Sequence, residues 1–250
     1  MSFFLRLYRI TALVLWTLLV PIASLPFQVL GNYGTKRIAR LTRFWNRGIA
    51  RIINLRIKVS GDIHGMQAGL LVSNHLSYLD IITHGSIFTL LYSPKSEIAW
   101  WPVIGWATAL SRPIWIRRRS KSQAVDISQR FAQTIKSGMH IIVYPEGTTS
   151  DGKSGVLPFK SGPFEAVIAD NLPILPMVIR YREVPGRATV CWYGDMTLLP
   201  HLWEVLGFPS IEAEVRLMPP VRPDGRSRKE LAAHVHGMLD SEYKKLLSSP

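Results

Sequence analysis

Ser73-Asn74-His75-Leu76-Ser77-Tyr78-Leu79-Asp80 sets an imidazole five residues before a carboxylate. That pair is the smallest apparatus that takes a proton from a hydroxyl near neutral pH, because the carboxylate fixes the histidine tautomer and stabilises the imidazolium that forms. In serine hydrolases such a pair activates an enzyme serine. This chain contains no Gly-x-Ser-x-Gly, so the hydroxyl that His75 would activate is one on a bound substrate. No third ligand stands at a recognisable spacing from His75 and Asp80, which argues against a metal site.

The elements around the pair must bring it together. Gly69-Leu70-Leu71-Val72-Ser73 reads as a short buried strand, and Asp80 to Leu91 as a helix. Residues i and i+5 lie ~140° apart on an ideal helix. His75 therefore belongs in the turn and Asp80 in or near the first helical turn, the strand-to-helix junction where α/β folds place their chemistry. Further along, Tyr144-Pro145-Glu146-Gly147-Thr148-Thr149-Ser150 ends a second apolar run, Ile141-Ile142-Val143. Gly147 permits close backbone approach or positive φ there. Glu146 has the chemistry either to accept hydrogen bonds from a polyol or to order nearby backbone.

Asn74-His75 with Asp80, followed by Pro145-Glu146-Gly147-Thr148, resembles the glycerolipid acyltransferase family, which includes the bacterial 1-acyl-sn-glycerol-3-phosphate acyltransferases. Ile114-Trp115-Ile116-Arg117-Arg118 is similar to the family's second block and Pro173-Ile174-Leu175-Pro176-Met177 to its fourth, in the same order. Lys95-Ser96-Glu97 and Phe159-Lys160-Ser161-Gly162 also stand where members carry similar residues. The likeness covers roughly residues 55–220. It implies an O-acyltransferase moving a fatty acyl chain from acyl-CoA or acyl carrier protein to a lysolipid hydroxyl, with no other cofactor. His75 would be the general base and Asp80 its orienter. The acceptor site would draw on Asn74, Lys95, Arg118, Glu146, Gly147, Thr148 and Thr149. Many members that accept lysophosphatidate carry arginine where this chain has Thr149. Arginine grips phosphate bidentately and threonine offers one hydroxyl. Acylation of lyso-ornithine or another amino-acid lipid therefore stands beside lysophosphatidate as an expectation, with Lys95 and Arg117 to Arg119 as substitute phosphate ligands.

Composition bears on the partner. The 250 residues carry 30 Lys+Arg against 17 Asp+Glu, a net charge of +13, and mean hydropathy is positive at +0.13. A basic and apolar chain fits an anionic membrane surface better than nucleic acid. The single cysteine, Cys191, sits in the apolar run Ala188 to Trp192 and reads as a buried strand residue.

Ile10 to Leu30 carries no formal charge, with Arg6 and Arg9 before it and Lys36, Arg37 and Arg40 after it. The run is long enough to cross a hydrocarbon layer of ~30 Å, yet Pro21 and Pro26 favour a break near Pro21. A spanning helix, a shallow or re-entrant anchor and a cleaved signal peptide all start this way. Residues 36–53 form an amphipathic pattern, with Lys36, Arg37, Arg40, Arg43, Arg47 and Arg51 on one side and Ile38, Leu41, Trp45, Ile49, Ile52 and Ile53 on the other. Such a helix lies in an anionic interface or packs on the protein with a basic face exposed.

The rest alternates. Strands are expected at residues 55–59, 70–73, 112–117, 140–144, 174–181, 188–193 and 212–218, and helices at 80–91, 104–111, 121–137, 164–169 and 227–247, with Ser227 and Glu230 as a capping box. Gly31 to Thr35 and Pro219 to Arg226 read as linkers. The expectation is an α/β fold with a mixed or mostly parallel sheet flanked by helices and an N-terminal membrane-associated helical segment. Residues 1–54 would form the anchor and basic helix, and residues 55–250 the catalytic domain. Trp100, Trp101 and Trp106 suit an acyl tunnel, a core or a membrane contact. The expected location is a bacterial inner membrane with the catalytic domain cytoplasmic. A membrane lipid-binding protein without catalysis is the alternative, and it would not need both the His75–Asp80 and the Glu146-Gly147 blocks.

Overall fold

The computed structural model describes residues 2–62, 65–116, 121–184 and 186–248. Six strands form one sheet: β1 (Leu55–Ser60), β2 (Leu70–Ser73), β3 (Leu90–Tyr92), β4 (His140–Val143), β5 (Ile174–Tyr181) and β6 (Ile211–Leu217), in the order β1-β6-β5-β2-β4-β3. All pairings are parallel except β5 with β6. β2 lies inside, between β4 and β5, and its four residues are all buried. A continuous apolar run with no alternation is what a strand covered on both faces requires. Pro176 is tolerated within β5 because the β6 ladder begins only at Met177.

The helices are α1 (Ser2–Ile22), α2 (Gly31–Ile52), α3 (Leu79–Ile87), α4 (Ile104–Leu110), α5 (Lys121–Lys136), α6 (Glu165–Ile168), α7 (Leu198–Val205) and α8 (Arg228–Ser248). α8 packs on β5 through Leu231, Val235, Leu239, Tyr243 and Leu246, all buried. Its start is the expected capping box: the Ser227 N–H donates to Glu230 Oε2 at 2.8 Å and the Glu230 N–H to Ser227 Oγ at 3.4 Å.

Several expected elements are placed differently. The apolar stretch read as one helix to Leu91 is α3 followed by β3, because Phe88 turns extended (φ −111°, ψ 149°). Residues 188–193 form no strand; the Trp192 N–H bonds to Leu76 O at 2.8 Å, so this segment serves the His75 loop instead of the sheet. Cys191 is buried as expected, but in that irregular segment. Residues 112–116 make only one isolated bridge, Lys95 with Ile116. α7 was not expected, and Gly31 to Thr35 is the first turn of α2 and not a linker.

α1 and α2 form an antiparallel hairpin. They cross closely at Gly48, where an added Cβ would lie 2.2 Å from the Trp16 ring. Arg9 is buried in α1, and its guanidinium donates to Ile52 O (3.1 Å), Leu206 O (2.9 Å) and Phe208 O (2.5 Å). These are orphan carbonyls at the C-terminal ends of α2 and α7, which a cation satisfies well. Arg43 and Arg47 of α2 likewise donate to Ser86 O in the last turn of α3. Part of the basic stripe thus caps a protein helix, while the apolar side of α2, including Ile38, Ile49 and Ala50, is buried against the body.

Candidate active site

His75 stands in the turn after β2, as its spacing required. Asp80 lies in the first turn of α3, and its side chain reaches back over the loop. Asp80 Oδ2 accepts from His75 Nδ1 at 2.7 Å, the Leu76 N–H at 2.7 Å and the Ser77 N–H at 3.0 Å, and Oδ1 accepts from the Tyr181 hydroxyl at 2.8 Å. Four donors on two oxygens match the acceptor capacity of a carboxylate. With Nδ1–H held by Asp80, the lone pair of the neutral imidazole is on Nε2. The Asp80 side chain has no exposure, while that of His75 keeps 19%. A substrate hydroxyl can therefore reach the histidine and not the carboxylate.

The backbone of His75 is tied to the second block from both sides. Its N–H donates to Glu146 Oε1 at 2.8 Å, and its carbonyl accepts from the Ser150 N–H at 3.0 Å. The other Glu146 oxygen accepts from the Leu157 N–H at 3.3 Å. Burial pushes the Glu146 carboxyl up to about 7, against the two backbone donors that pull it down.

Beneath the imidazole lies the Tyr144 ring, stacked at 4.1 Å between centroids with an interplanar angle of 18°. Its hydroxyl is 3.0 Å from His84 Nδ1, and His84 Nε2 is 3.4 Å from Ser73 Oγ. Burial holds His84 down at about 4, so the imidazole is neutral, and burial likewise pushes the Tyr144 phenol well above its ordinary range.

Two of the residues expected at the acceptor are buried and bonded to backbone. Asn74 is buried, and its amide exchanges two hydrogen bonds with the Ile179 backbone at 2.8 and 3.0 Å, continuing the sheet through a side chain. Glu146 is buried and bonded to backbone through both oxygens, so of its two expected roles the structure shows the ordering one. Gly147 takes φ +73°, Thr148 is exposed and Thr149 half-buried on the turn beside His75. Lys95 is exposed just after β3, whose C-terminal end points the same way as that of β2. Arg118, with Arg117 and Arg119, lies outside the described residues. Tyr181 and the stacking role of Tyr144 carried no signal in the spacing, since each meets the site only through the folded sheet; His84, four residues after Asp80 on α3, went unmarked because its partners Tyr144 and Ser73 are brought to it by the fold.

Comparison with known proteins agrees with this geometry. Residues 56–180 match the sequence model of the Acyltransferase family. A lyso-ornithine lipid O-acyltransferase of Brucella abortus (strain 2308) is 32% identical over 96% of this chain and 94% of its own length. A 1-acyl-sn-glycerol-3-phosphate acyltransferase of Neisseria meningitidis serogroup B is 27% identical over 86% of this chain and 83% of its own. The crystal structure of the 1-acyl-sn-glycerophosphate (LPA) acyltransferase PlsC from Thermotoga maritima shares the fold, with a TM-score of 0.72 at 20% identity, covering 100% of this chain and 97% of that one. A near full-length relative at this identity, together with the family match across both sequence blocks, shows that the chain belongs to the Acyltransferase family.

Proposed function

We propose that this enzyme transfers a fatty acyl group from a thioester, carried by coenzyme A or acyl carrier protein, to the free hydroxyl of a lysolipid, with His75 as general base. The observation that carries this reading is the His75–Asp80 bond at 2.7 Å, which frees Nε2 at a partly exposed position. The acceptor hydroxyl gives its proton to Nε2 as its oxygen attacks the thioester carbonyl. The new C–O bond forms, the C–S bond breaks, and the thiolate takes the proton back from the imidazolium. A thiolate leaves readily, so the step calls for neither a covalent enzyme intermediate nor a metal. Asp80 holds the imidazolium through its Nδ1 between the two transfers.

The acceptor we favour is a lyso-ornithine or related amino-acid lipid. Two facts support it: Thr149 stands where many lysophosphatidate-accepting members carry arginine, and the Brucella relative bears that activity in its name. The test is mass spectrometry of products after incubating the purified protein in vesicles with acyl-CoA or acyl carrier protein thioesters and a panel of lysolipids. An O-acylated amino-acid lipid is the expected main product. A strong preference for lysophosphatidate assigns the acceptor otherwise.

The same reading places the enzyme on a membrane, with its catalytic part on the cytoplasmic side where acyl thioesters are made. The stretch Phe3–Phe27 is long and apolar enough to cross one. Yet α1 is fastened along its length: Arg6 to Glu204 at 3.0 Å, Arg9 to three carbonyls, and the Trp16 N–H to Trp45 O at 3.0 Å. Spanning would require tearing these contacts away, the three carbonyl bonds of the buried Arg9 among them. Its outward side is mostly apolar, with Phe4, Leu7, Leu15, Leu18 and Leu19 exposed beside Thr11, and Trp100, Trp101 and Trp106 are exposed rather than in the core. We therefore read α1 as lying in the plane of the interface, with the exposed basic residues of α2 at anionic headgroups.

A further inference from the structure

The turn that wraps His75 carries a cation, Lys160 of the Phe159-Lys160-Ser161-Gly162 stretch, to which the sequence motifs give no role. The Lys160 N–H donates to Pro145 O at 2.9 Å, so Lys160 starts beside the Pro145-Glu146-Gly147 turn. Its neighbour Phe159 is wedged between Phe164 (6.3 Å between centroids) and His236 (5.1 Å, edge-on), which fixes the segment. The lysine stem then passes directly over Gly147. A Cβ added to Gly147 would lie 2.4 Å from Lys160 Nζ, 3.1 Å from Cε and 3.3 Å from Cδ. Glycine at this position thus meets two demands at once, the backbone at φ +73° and the space the lysine occupies.

Lys160 is exposed, and its ammonium pairs with no carboxylate among the described residues. Both oxygens of the neighbouring Glu146 are turned to backbone N–H groups. The turn beneath the ammonium is bonded to the His75 N–H and carbonyl. An acceptor whose hydroxyl sits at His75 would bring its headgroup past this turn, where position 149 offers a hydroxyl and no charge.

We propose that Lys160 recognises the anionic group of the acceptor lipid, a carboxylate or a phosphate, from across the Gly147 turn. The inference rests on the acyl-transfer reading and adds to it the residue that reads the headgroup. An ammonium is a mobile point charge without the planar fork of arginine, so it pairs with a single carboxylate as readily as with phosphate.

The test is acyl-transfer kinetics of the wild type, Lys160→Met and Lys160→Arg in detergent micelles. Three acceptors are compared: a lyso-amino-acid lipid with a free carboxylate, its methyl ester, and lysophosphatidate. Loss of a charge-assisted bond predicts that Lys160→Met raises KM for an anionic acceptor ~10- to 100-fold, with kcat changed less than ~3-fold. The methyl ester should be used equally by wild type and Lys160→Met, and Lys160→Arg should stay within ~3-fold of wild type. The acceptor whose KM rises identifies the anion as carboxylate or phosphate. An active enzyme whose KM for both anionic acceptors is unmoved by Lys160→Met, or whose use of the methyl ester falls equally, overturns the assignment of Lys160 alone. A wild type that acylates none of the three overturns the proposed function and this inference with it.

Discussion

Tyr144 lies flat against His75, ring centroids 4.1 Å apart and planes 18° from parallel. An aromatic face stabilises a neighbouring cation and restricts the tilt of the ring above it. Tyr144 touches the base and not the reacting atoms, so its role is positioning. Tyr144→Phe keeps the ring and loses only the bond to His84; kcat should stay within ~3-fold. Tyr144→Leu removes the face and should lower kcat ~10-fold or more with KM little changed. Steady-state kinetics of the two variants check this, and equal activity in both shows that the stack does not orient His75.

Glu146 and His84 pull the pH dependence of stability in opposite directions. The Glu146 carboxyl is raised to about 7 by burial. The folded state therefore binds more protons than the unfolded one, and this group's contribution is lost as pH rises through about 7. His84 is depressed to about 4, so the unfolded state binds more protons, and its contribution is lost as pH falls from the ordinary histidine value toward about 4. In the weakly acidic range where both act, the slopes oppose each other. Glu146→Gln should remove one slope and leave stability rising with pH across that range, by on the order of 1–2 kcal/mol relative to wild type. Urea unfolding at several pH values reads the difference. Parallel curves for variant and wild type contradict it.

The chemistry was legible where it is local. His75 and Asp80 close through one loop, so their spacing alone placed them on either side of a strand-to-helix turn. β5 was read to the residue because Pro173 precedes an apolar run that continues to Ile179. β3 was hidden because Ile87, Phe88, Leu90 and Leu91 carry apolar character across the α3–β3 junction and no Gly-Pro signal marks Phe88. α7 begins with Pro200 in its first turn, where proline costs nothing but looks like a breaker. Tyr181 is far in sequence from Asp80, and only the pairing of β5 with β2 brings it there; His84 and Lys160 are nearer in sequence, on α3 and in the loop after β4, but nothing in their spacing marks what they face. Asn74 looked like a ligand because a polar residue beside a base invites that reading; its amide instead replaces a rung of backbone pairing with Ile179.

The in-plane anchor makes its own prediction. Apolar insertion is insensitive to screening, whereas headgroup attraction is not. High salt should leave the protein on anionic vesicles, and Leu15→Glu with Leu18→Glu, both on the exposed side of α1, should release it. Vesicle flotation measures both. Full release of the wild type by salt shows that charge alone holds it.

Arg9 joins that anchor to the body. Arg9→Met leaves the Ile52, Leu206 and Phe208 carbonyls without their donor in a buried setting. The expected loss is ~2–3 kcal/mol of stability, read by urea unfolding, while catalysis per folded molecule persists. A loss below ~0.5 kcal/mol contradicts the role given to these bonds.

The central claim is that His75 takes the proton of the acceptor hydroxyl. The direct measurement is turnover of purified His75→Ala and Asp80→Asn beside wild type, with one acyl thioester and the preferred lysolipid, each variant first shown folded by its unfolding transition. His75→Ala should lose at least ~100-fold in kcat, as lost general-base catalysis requires. Asp80→Asn, which disturbs the tautomer and the charge, should also fall by ~10-fold or more. Acyl transfer by His75→Ala at a near-normal rate contradicts the account.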